Sequence, residues 1–164
     1  MNLFVLDADP AAAAQMQCDK HVVKMILETA QMLSTAHYAC DALTDDLQDP
    51  DIYKPTHVHH PCTRWVSATS ANYRWAYEHF AALAAEYEHR YYLQHKSWWK
   101  IGKALKKLPR NIIGARMTPF AQAMPDQYKD DCAVTAYRNF YANDKANFLK
   151  YTKRPMPDWL KVFA

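Results

Sequence analysis

Residues 9–40 read DPAAAAQMQCDKHVVKMILETAQMLSTAHYAC, and this stretch decides the fold class. Asp9 followed by Pro10 predicts a helix start, with Asp as the N-cap and Pro at the first helical position. The alanine run that follows strongly favours helix. Asp19 is a second candidate N-cap, so we expect the helix to break near Cys18 and to continue to about His37 or Cys40.

This helix carries a polar stripe between two apolar flanks. Residues spaced three and four apart share a helix face, and the stripe consists of Gln17, His21, Lys24, Glu28, Gln31 and Thr35. An ordinary solvent-facing stripe is not bordered by apolar residues on both sides, so we interpret it as the wall of a cleft. His21 and Glu28 lie two turns apart and can point into one pocket, where Glu28 would serve as catalytic acid or base. The alternative is a surface ion pair between Glu28 and Lys24.

The rest of the chain predicts further helices and no sheet. Only 2 of the 164 residues are Gly, whereas sheet proteins use Gly in tight hairpin turns. Apolar spacing predicts helices over residues 63–92, 97–108 and 131–151. Residues 41–61 lack a helical period and predict a long, ordered loop between the first two long helices. We therefore predict an all-α fold, a compact helical bundle with residues 1–164 in a single domain.

Charge is distributed unevenly along the sequence. Residues 1–52 contain 2 Lys and 9 Asp or Glu, whereas residues 53–164 contain 18 Lys or Arg and 8 acids. No acid lies between Glu88 and Asp126, where eight basic residues occur. A segment this basic suits a polyanion such as DNA, and the predicted phosphate-binding residues here are Lys103, Lys107 and Arg110. A solvated, lysine-rich helix face is the alternative.

Two further groups of residues have the chemistry of a site. Arg64, Asn72 and Arg138 occur among Trp and Tyr residues, a combination that stacks on bases and binds phosphate, although such aromatics also form helical cores. His57, His59, His60 and Cys62 are residue types that bind zinc together with Cys18 and His21, but their spacing does not match the common zinc fingers. We therefore expect His60 to support the cleft or to contact a phosphate instead.

Other classes of protein have no signal in the sequence. It contains no GxGxxG, P-loop, GxSxG or HExxH motif, so we predict neither a cofactor nor a metal. It shows no signal peptide and no apolar run of membrane-spanning length. We expect four reduced cysteines and a cytoplasmic location.

Several short motifs resemble the phage and bacterial pyrimidine-dimer DNA glycosylases of the endonuclease V type. They are His21-x6-Glu28 on the first long helix after an apolar Asn-Leu start, then His60-Pro61 with Trp65, then Leu83, Glu86, Arg90 and Tyr91, and finally Pro157-Asp158-Trp159-Leu160. The string around Lys20 and His21 is also similar to small phage-encoded proteins associated with DNA base modification.

The resemblance implies an all-helical fold with the amino terminus beside the catalytic helix. It also implies removal of a base from DNA through a Schiff base on the terminal amine, with Glu28 as the catalytic carboxylate and His21 near the DNA backbone. The family's amine sits on a small residue that Met removal exposes. Asn2 is larger, so we expect Met1 to remain. Lys20 and Lys24 stand where the family has Arg, and either offers a second amine.

Our leading hypothesis is an enzyme that processes a pyrimidine base in DNA, either a glycosylase/lyase or a base-modifying transferase. Its predicted catalytic residues are Glu28, His21, Lys24 and His60, and its predicted DNA contacts are Lys20, Arg64, Asn72, Lys103, Lys107, Arg110 and Arg138. Such an enzyme must extrude its target base from the duplex. The alternatives are a non-catalytic nucleic-acid-binding module and a small-molecule enzyme with a helical cleft.

Overall fold

The amino-terminal stretch forms two helices joined at a short break, in a computed structural model that describes residues 1–41 and 51–161. α1 spans Pro10–Met16 and α2 spans Asp19–Asp41. Asp9 caps α1 as predicted, because its carboxylate accepts a hydrogen bond from the Ala12 N–H at 2.7 Å. Asp19 is not the second N-cap: it is the first residue of α2, and its carboxylate accepts hydrogen bonds from Thr152 and Arg90.

The helix predicted over residues 63–92 is two helices. α3 spans Pro61–Ala68 and α4 spans Ser70–Tyr91. Thr69 has extended backbone angles, and its side chain accepts a hydrogen bond from the Asn72 N–H at 3.1 Å, so the chain stops one helix and caps the next within one residue.

Three more α-helices follow. α5 spans Lys96–Leu105, α6 spans Ala133–Asp144 and α7 spans Asp158–Lys161. Single turns of 3₁₀ helix occur at Asp126–Tyr128 and Ala146–Phe148. The described part of the chain contains no strand. The all-α prediction is therefore confirmed, although the last predicted helix, over residues 131–151, ends at Asp144.

α2 lies at the centre of the packing. It contacts α3, α4 and α5, and α1 packs against α4. Residues 42–50 of the predicted ordered loop lie outside the described residues. The remainder of that loop is attached to α2, because the Tyr53 and Thr56 N–H groups donate to the hydroxyls of Ser34 and Thr35. The assignment of residues 1–164 to one domain stays a prediction.

Residues 2–6 run through the interior as an irregular, extended segment. All five are buried, and a buried backbone without a helix or sheet must find its hydrogen bonds elsewhere. Side chains supply them: Glu28 of α2 accepts from the Asn2 N–H, Gln17 donates to the Leu3 carbonyl and Arg138 of α6 donates to the Leu6 carbonyl. Just beyond the segment, Trp75 of α4 donates to the Ala8 carbonyl. The amino end is therefore held in place by α2, α4 and α6 together.

A buried ion network fixes the start of α2, at Asp19. The Arg90 guanidinium, 2% exposed, binds Glu86 at 2.7 Å and Asp19 at 2.9 Å, and Arg154 reaches Glu86 from the carboxy-terminal segment at 2.9 Å. Burial alone would raise the pKa of Glu86, but the hydrogen bonds from Arg154 and Arg90 outweigh it and hold the pKa below its ordinary value. The network thus joins α2, α4 and the tail.

Candidate active site at the amino end and Glu28

The polar stripe, which runs from Gln17 just before α2 to Thr35 of α2, is largely buried, and its interpretation as the wall of a cleft stays a prediction. Glu28 is only 8% exposed, and Gln17, His21 and Thr35 are buried as well. The apolar flanks differ from the prediction on one side, because Val23 and Leu27 are each 41% exposed whereas Val22 and Ile26 are in the core. The stripe therefore lies at the edge between the core and an exposed apolar strip.

The Glu28 carboxylate lies between two amines. Its Oε2 is 3.6 Å from the Met1 amino group and accepts a hydrogen bond from the Asn2 N–H at 2.9 Å. Its Oε1 is 3.2 Å from the Lys24 ammonium, one helical turn away. The Lys24 side chain is 63% exposed whereas that of Glu28 is 11% exposed, so the carboxylate sits at the inner end of this cluster.

Asn2 holds the start of the chain in this position. Its Oδ1 accepts hydrogen bonds from the N–H groups of Leu3 and Phe4, which bends the backbone so that Phe4 has a φ of 46°. Its Nδ2 donates to the Ala123 carbonyl at 2.8 Å. The Ala123 N–H in turn donates to the Tyr137 hydroxyl. The segment before α6 therefore closes over the amino end, and the Met1 side chain is 2% exposed.

His60 lies at the same place from the side of α3. It is the N-cap of that helix, and its Nδ1 accepts a hydrogen bond from the Cys62 N–H at 3.2 Å. Burial lowers the pKa of His60, and the nearby terminal amine and His57 lower it further, against an opposing effect of Glu28. A neutral imidazole that accepts at Nδ1 carries its proton on Nε2, so His60 has an N–H donor available at Nε2.

His21 is held by aromatic residues. Its Nδ1 lies 2.8 Å from the Tyr141 hydroxyl, and its ring stacks on Phe4 with centroids 4.3 Å apart. Burial, helped by the charges of Lys145, Lys24 and Lys20, lowers its pKa to about 4. His21 is therefore neutral at pH 7 and supports the buried start of the chain from the α2 side.

Two predicted DNA contacts form hydrogen bonds within the protein, Asn72 in the core and Arg138 at a partly exposed position. Asn72 is fully buried, where its amide donates to the Trp65 carbonyl and the Thr118 hydroxyl and accepts from the Thr118 N–H. Arg138 donates to the Leu6 carbonyl, pairs with Asp7 at 3.3 Å and stacks on Trp159. The amide of Asn72 thus has its hydrogen-bond partners inside the protein, and the Arg138 guanidinium has its partners at the chain start. The assignment of both residues as DNA contacts stays a prediction.

The other predicted basic contacts are exposed. Lys20 lies one turn before Lys24, and Arg64 lies in the first turns of α3, which begins beside the chain start. On α5 and just beyond it, Lys103, Lys107 and Arg110 line a cavity of about 700 Å³. A second cavity of about 590 Å³ shares Lys100 with the first and reaches Leu27 and Gln31 of α2. The basic helix thus adjoins α2 at Leu27 and Gln31, and Glu28 lines neither of these two cavities.

Several residues of this region were not predicted as site residues. From the sequence, Asn2 bears only on whether Met1 is removed, and Tyr137 and Tyr141 belong to the aromatics that either stack on bases or form the core. Their hydroxyls are buried and hydrogen-bonded. The Tyr137 hydroxyl donates to the Ala121 carbonyl and accepts from the Ala123 N–H. The Tyr141 hydroxyl accepts from the Cys18 N–H and is hydrogen-bonded to Nδ1 of His21. A tyrosine at a core position gives no sign in the sequence of where its hydroxyl points.

The histidines and cysteines form no metal centre among the residues that the structure describes. No group of three or more His, Cys, Asp or Glu side chains there is placed to hold a metal ion. All four cysteines are free thiols, and burial raises the pKa of Cys62 to about 11. Across residues 1–41 and 51–161, no helix has both the length and the apolar character to span a membrane.

Comparison with known proteins identifies the family. The family model described as pyrimidine dimer DNA glycosylase matches residues 1–100, which include Met1, Asn2, Glu28 and His60. No curated protein and no solved structure gives a significant match. The description indicates an enzyme that acts on DNA as a glycosylase. Because the match covers more than half of the 164 residues, the chain belongs to the pyrimidine dimer DNA glycosylase family.

Proposed function

We propose that this chain is a DNA glycosylase/lyase that removes a pyrimidine base by using the amine at the start of the chain, with Glu28 as its acid/base partner. The observation that carries the proposal is the buried Glu28 carboxylate, 3.6 Å from the Met1 amine and 2.9 Å from the Asn2 nitrogen. If Met1 is removed in the cell, the new amine is that Asn2 nitrogen. Either form of the chain therefore presents an amine to Glu28.

The reaction follows from these groups. The neutral amine attacks C1′ of the deoxyribose, the N–C1′ bond forms, and the bond from C1′ to the base breaks. The base leaves with the electron pair and takes up a proton, and the attacking amine gives up a proton to Glu28. Opening of the sugar ring, in which Glu28 passes its proton to O4′, leaves a protonated imine between the amine and C1′, and this imine makes a C2′ proton acidic enough for Glu28 to remove. Elimination of the 3′ phosphate then cuts the strand, and water releases the enzyme.

The neighbouring residues have supporting roles in this proposal. His60 donates its Nε2–H to a substrate oxygen, and His21 keeps the chain start in place from the α2 side. Lys24 offsets the negative charge of the Glu28 carboxylate at Oε1 and offers a second amine. Lys20, Arg64, Lys103, Lys107 and Arg110 bind phosphates, since exposed Lys and Arg side chains supply most of the affinity of proteins for DNA.

Borohydride trapping on abasic DNA tests the proposal. We expect a covalent adduct whose peptide map places the DNA on Met1, or on Asn2 if Met1 is absent. Attachment to Lys24 would show that the second amine reacts. Absence of any adduct would overturn the amine mechanism.

A carboxylate series tests the role of Glu28. Glu28→Gln keeps the shape and the hydrogen bond from Asn2 but cannot take up a proton, so we expect trapping and base release to fall by about 10²–10⁴-fold. Glu78→Gln, at an exposed position on α4, is the matched control and should leave both rates unchanged. Equal activity of Glu28→Gln and the parent chain would favour a non-catalytic DNA-binding module.

A further inference from the structure

Trp99 is an unusual residue for the surface of a helix. It is 76% exposed, whereas the adjacent Trp98 packs on Phe80 with ring centroids 5.1 Å apart. Trp has the largest apolar side chain, and folded chains usually bury most of it. The Trp99 indole therefore presents a flat aromatic face to solvent, next to the packed Trp98 on α5.

Basic side chains surround this indole. Lys96 precedes Trp99 by three positions and Lys103 follows it by four, so both lie on its face of the helix. Lys100, Lys103, Lys107 and Arg110 line the 700 Å³ cavity together with Trp99. Lys100 is fixed there by stacking on Tyr53 at 5.5 Å.

The same cavity has two carboxylates in its wall, Asp41 and Asp51. Asp41 is engaged within the protein, because it accepts a hydrogen bond from the Asn111 N–H at 2.9 Å and lies 3.9 Å from His37. Among the residues that the structure describes, the four cations of the cavity lining outnumber these two acids. The chemistry of the cavity suits an anion that also has a π-face.

We propose that Trp99 is a stacking platform for an unpaired nucleobase, and that the lysines beside it bind the flanking phosphates. The choice of DNA as the polyanion rests on the proposed function. Within a duplex both faces of every base are covered by its neighbours, so an exposed indole has nothing to stack on. An unpaired base offers that face, and stacking of one base on an aromatic side chain is sequence-tolerant. The surface therefore selects DNA in which a base has left the helix.

The test is DNA binding by Glu28→Gln, which separates binding from chemistry. The probes are an intact duplex, the same duplex with a single-base bulge, and the single strand. We expect Trp99→Ala to weaken binding of the bulged duplex and of the single strand by roughly ten-fold or more, and binding of the intact duplex by less than about two-fold. Trp99→Phe keeps an aromatic face and should restore most of the loss.

Salt dependence separates the indole from its lysines. Lys103→Gln should lower the slope of log affinity against log salt by about 0.7 on the single strand, and Trp99→Ala should leave that slope unchanged. Lys129→Gln, which removes an exposed charge paired with Asp126, is the control and should change neither the affinity nor the slope.

Three results would overturn the proposal. The first is that Trp99→Ala lowers the affinity for all three probes equally, and the second is that it lowers the affinity for none of them. The third is a shift from dimer to monomer in Trp99→Ala, which would show that the indole packs against a second copy of the chain. Trapping at the amine is measured separately from DNA binding. The glycosylase proposal can therefore fail while the stacking proposal holds, and the stacking proposal can fail while the glycosylase proposal holds.

Discussion

His60 combines a structural role with the proposed catalytic one, and two substitutions separate them. As the N-cap of α3 it accepts from the Cys62 N–H, and its other nitrogen lies toward the amine and Glu28 in our proposal. We expect His60→Asn to keep the cap, because Asn is among the best N-cap residues, and to lose activity without loss of stability.

We expect His60→Ala to lose both the N-cap of α3 and the activity. The missing cap costs about 1 kcal/mol of unfolding free energy, which urea titration measures, and trapping on abasic DNA measures activity. Full activity of His60→Asn would limit His60 to its capping role.

At the scale of residues, the sequence predicts burial better than it predicts partners. The three- and four-residue spacing places Glu28 and His21 on the inner edge of α2 because a helix repeats every 3.6 residues. Asn72 and Arg138 are indistinguishable in sequence from surface contacts, since both occur beside aromatics on helices. Which side of those helices faces the chain start is decided by packing between α4, α6 and residues 2–6, which no local pattern encodes.

Within α5, the close approach of Gly102 to Trp98 makes a specific prediction. A Cβ at Gly102 would lie 2.8 Å from Cε3 of the Trp98 indole, which is itself packed on Phe80 and Tyr77. Gly102→Ala gains about 1 kcal/mol of helix propensity, but overpacking costs about 1–3 kcal/mol, so we expect a net loss of stability.

Urea titration of Gly102→Ala measures this loss, and a second substitution tests its cause. Trp98→Phe in the Gly102→Ala background removes the clashing ring atoms, so it should destabilise the protein less than the same change does in the parent chain. Additive effects of the two substitutions would contradict the explanation by steric contact.

At the scale of elements, the helices are predictable and their ends less so. The Asp9-Pro10 start and the amphipathic pattern of α5 are local signals, and the structure confirms both. The break at Thr69 was not predicted, because the apolar spacing continues from α3 into α4. Thr69-Ser70 is a capping pair that could have marked the break, but a threonine within an unbroken apolar pattern is an equally ordinary helix residue.

Stability of the whole molecule should depend on pH through two buried histidines. Burial lowers the pKa values of both His21 and His79 to about 4 in the folded state, whereas unfolded histidine has a pKa near 6.5. Between about pH 6.5 and 4 the unfolded chain binds more protons than the folded one, so stability falls as the pH falls. Each histidine contributes up to about 3 kcal/mol to this loss.

Urea midpoints at several pH values between 7 and 4 check this expectation. His21→Gln should flatten the dependence in that interval whatever its effect at pH 7, and His89→Gln, at an exposed position, should leave the profile unchanged. An identical profile for His21→Gln and the parent chain would show that His21 does not stay neutral in the fold.

At the scale of the whole chain, the sequence predicts a helical protein with an acidic first third and a basic remainder, and the described residues agree in fold class. It does not predict that residues 2–6 pass through the interior, because a five-residue apolar segment has no period of its own. Their position depends on side chains from α2, α4 and α6, which lie up to 132 positions away in sequence.

The burial of the chain start has a practical consequence for anyone who produces this protein. A purification tag fused ahead of Met1 would turn its ammonium into an uncharged amide and would place extra residues beside Glu28, whose carboxylate lies 3.6 Å from that nitrogen. Such a fusion would separate Glu28 from its amine and remove the proposed nucleophile. For assays, an amino-terminal purification tag should therefore be cleaved so that no extra residue remains before residue 1.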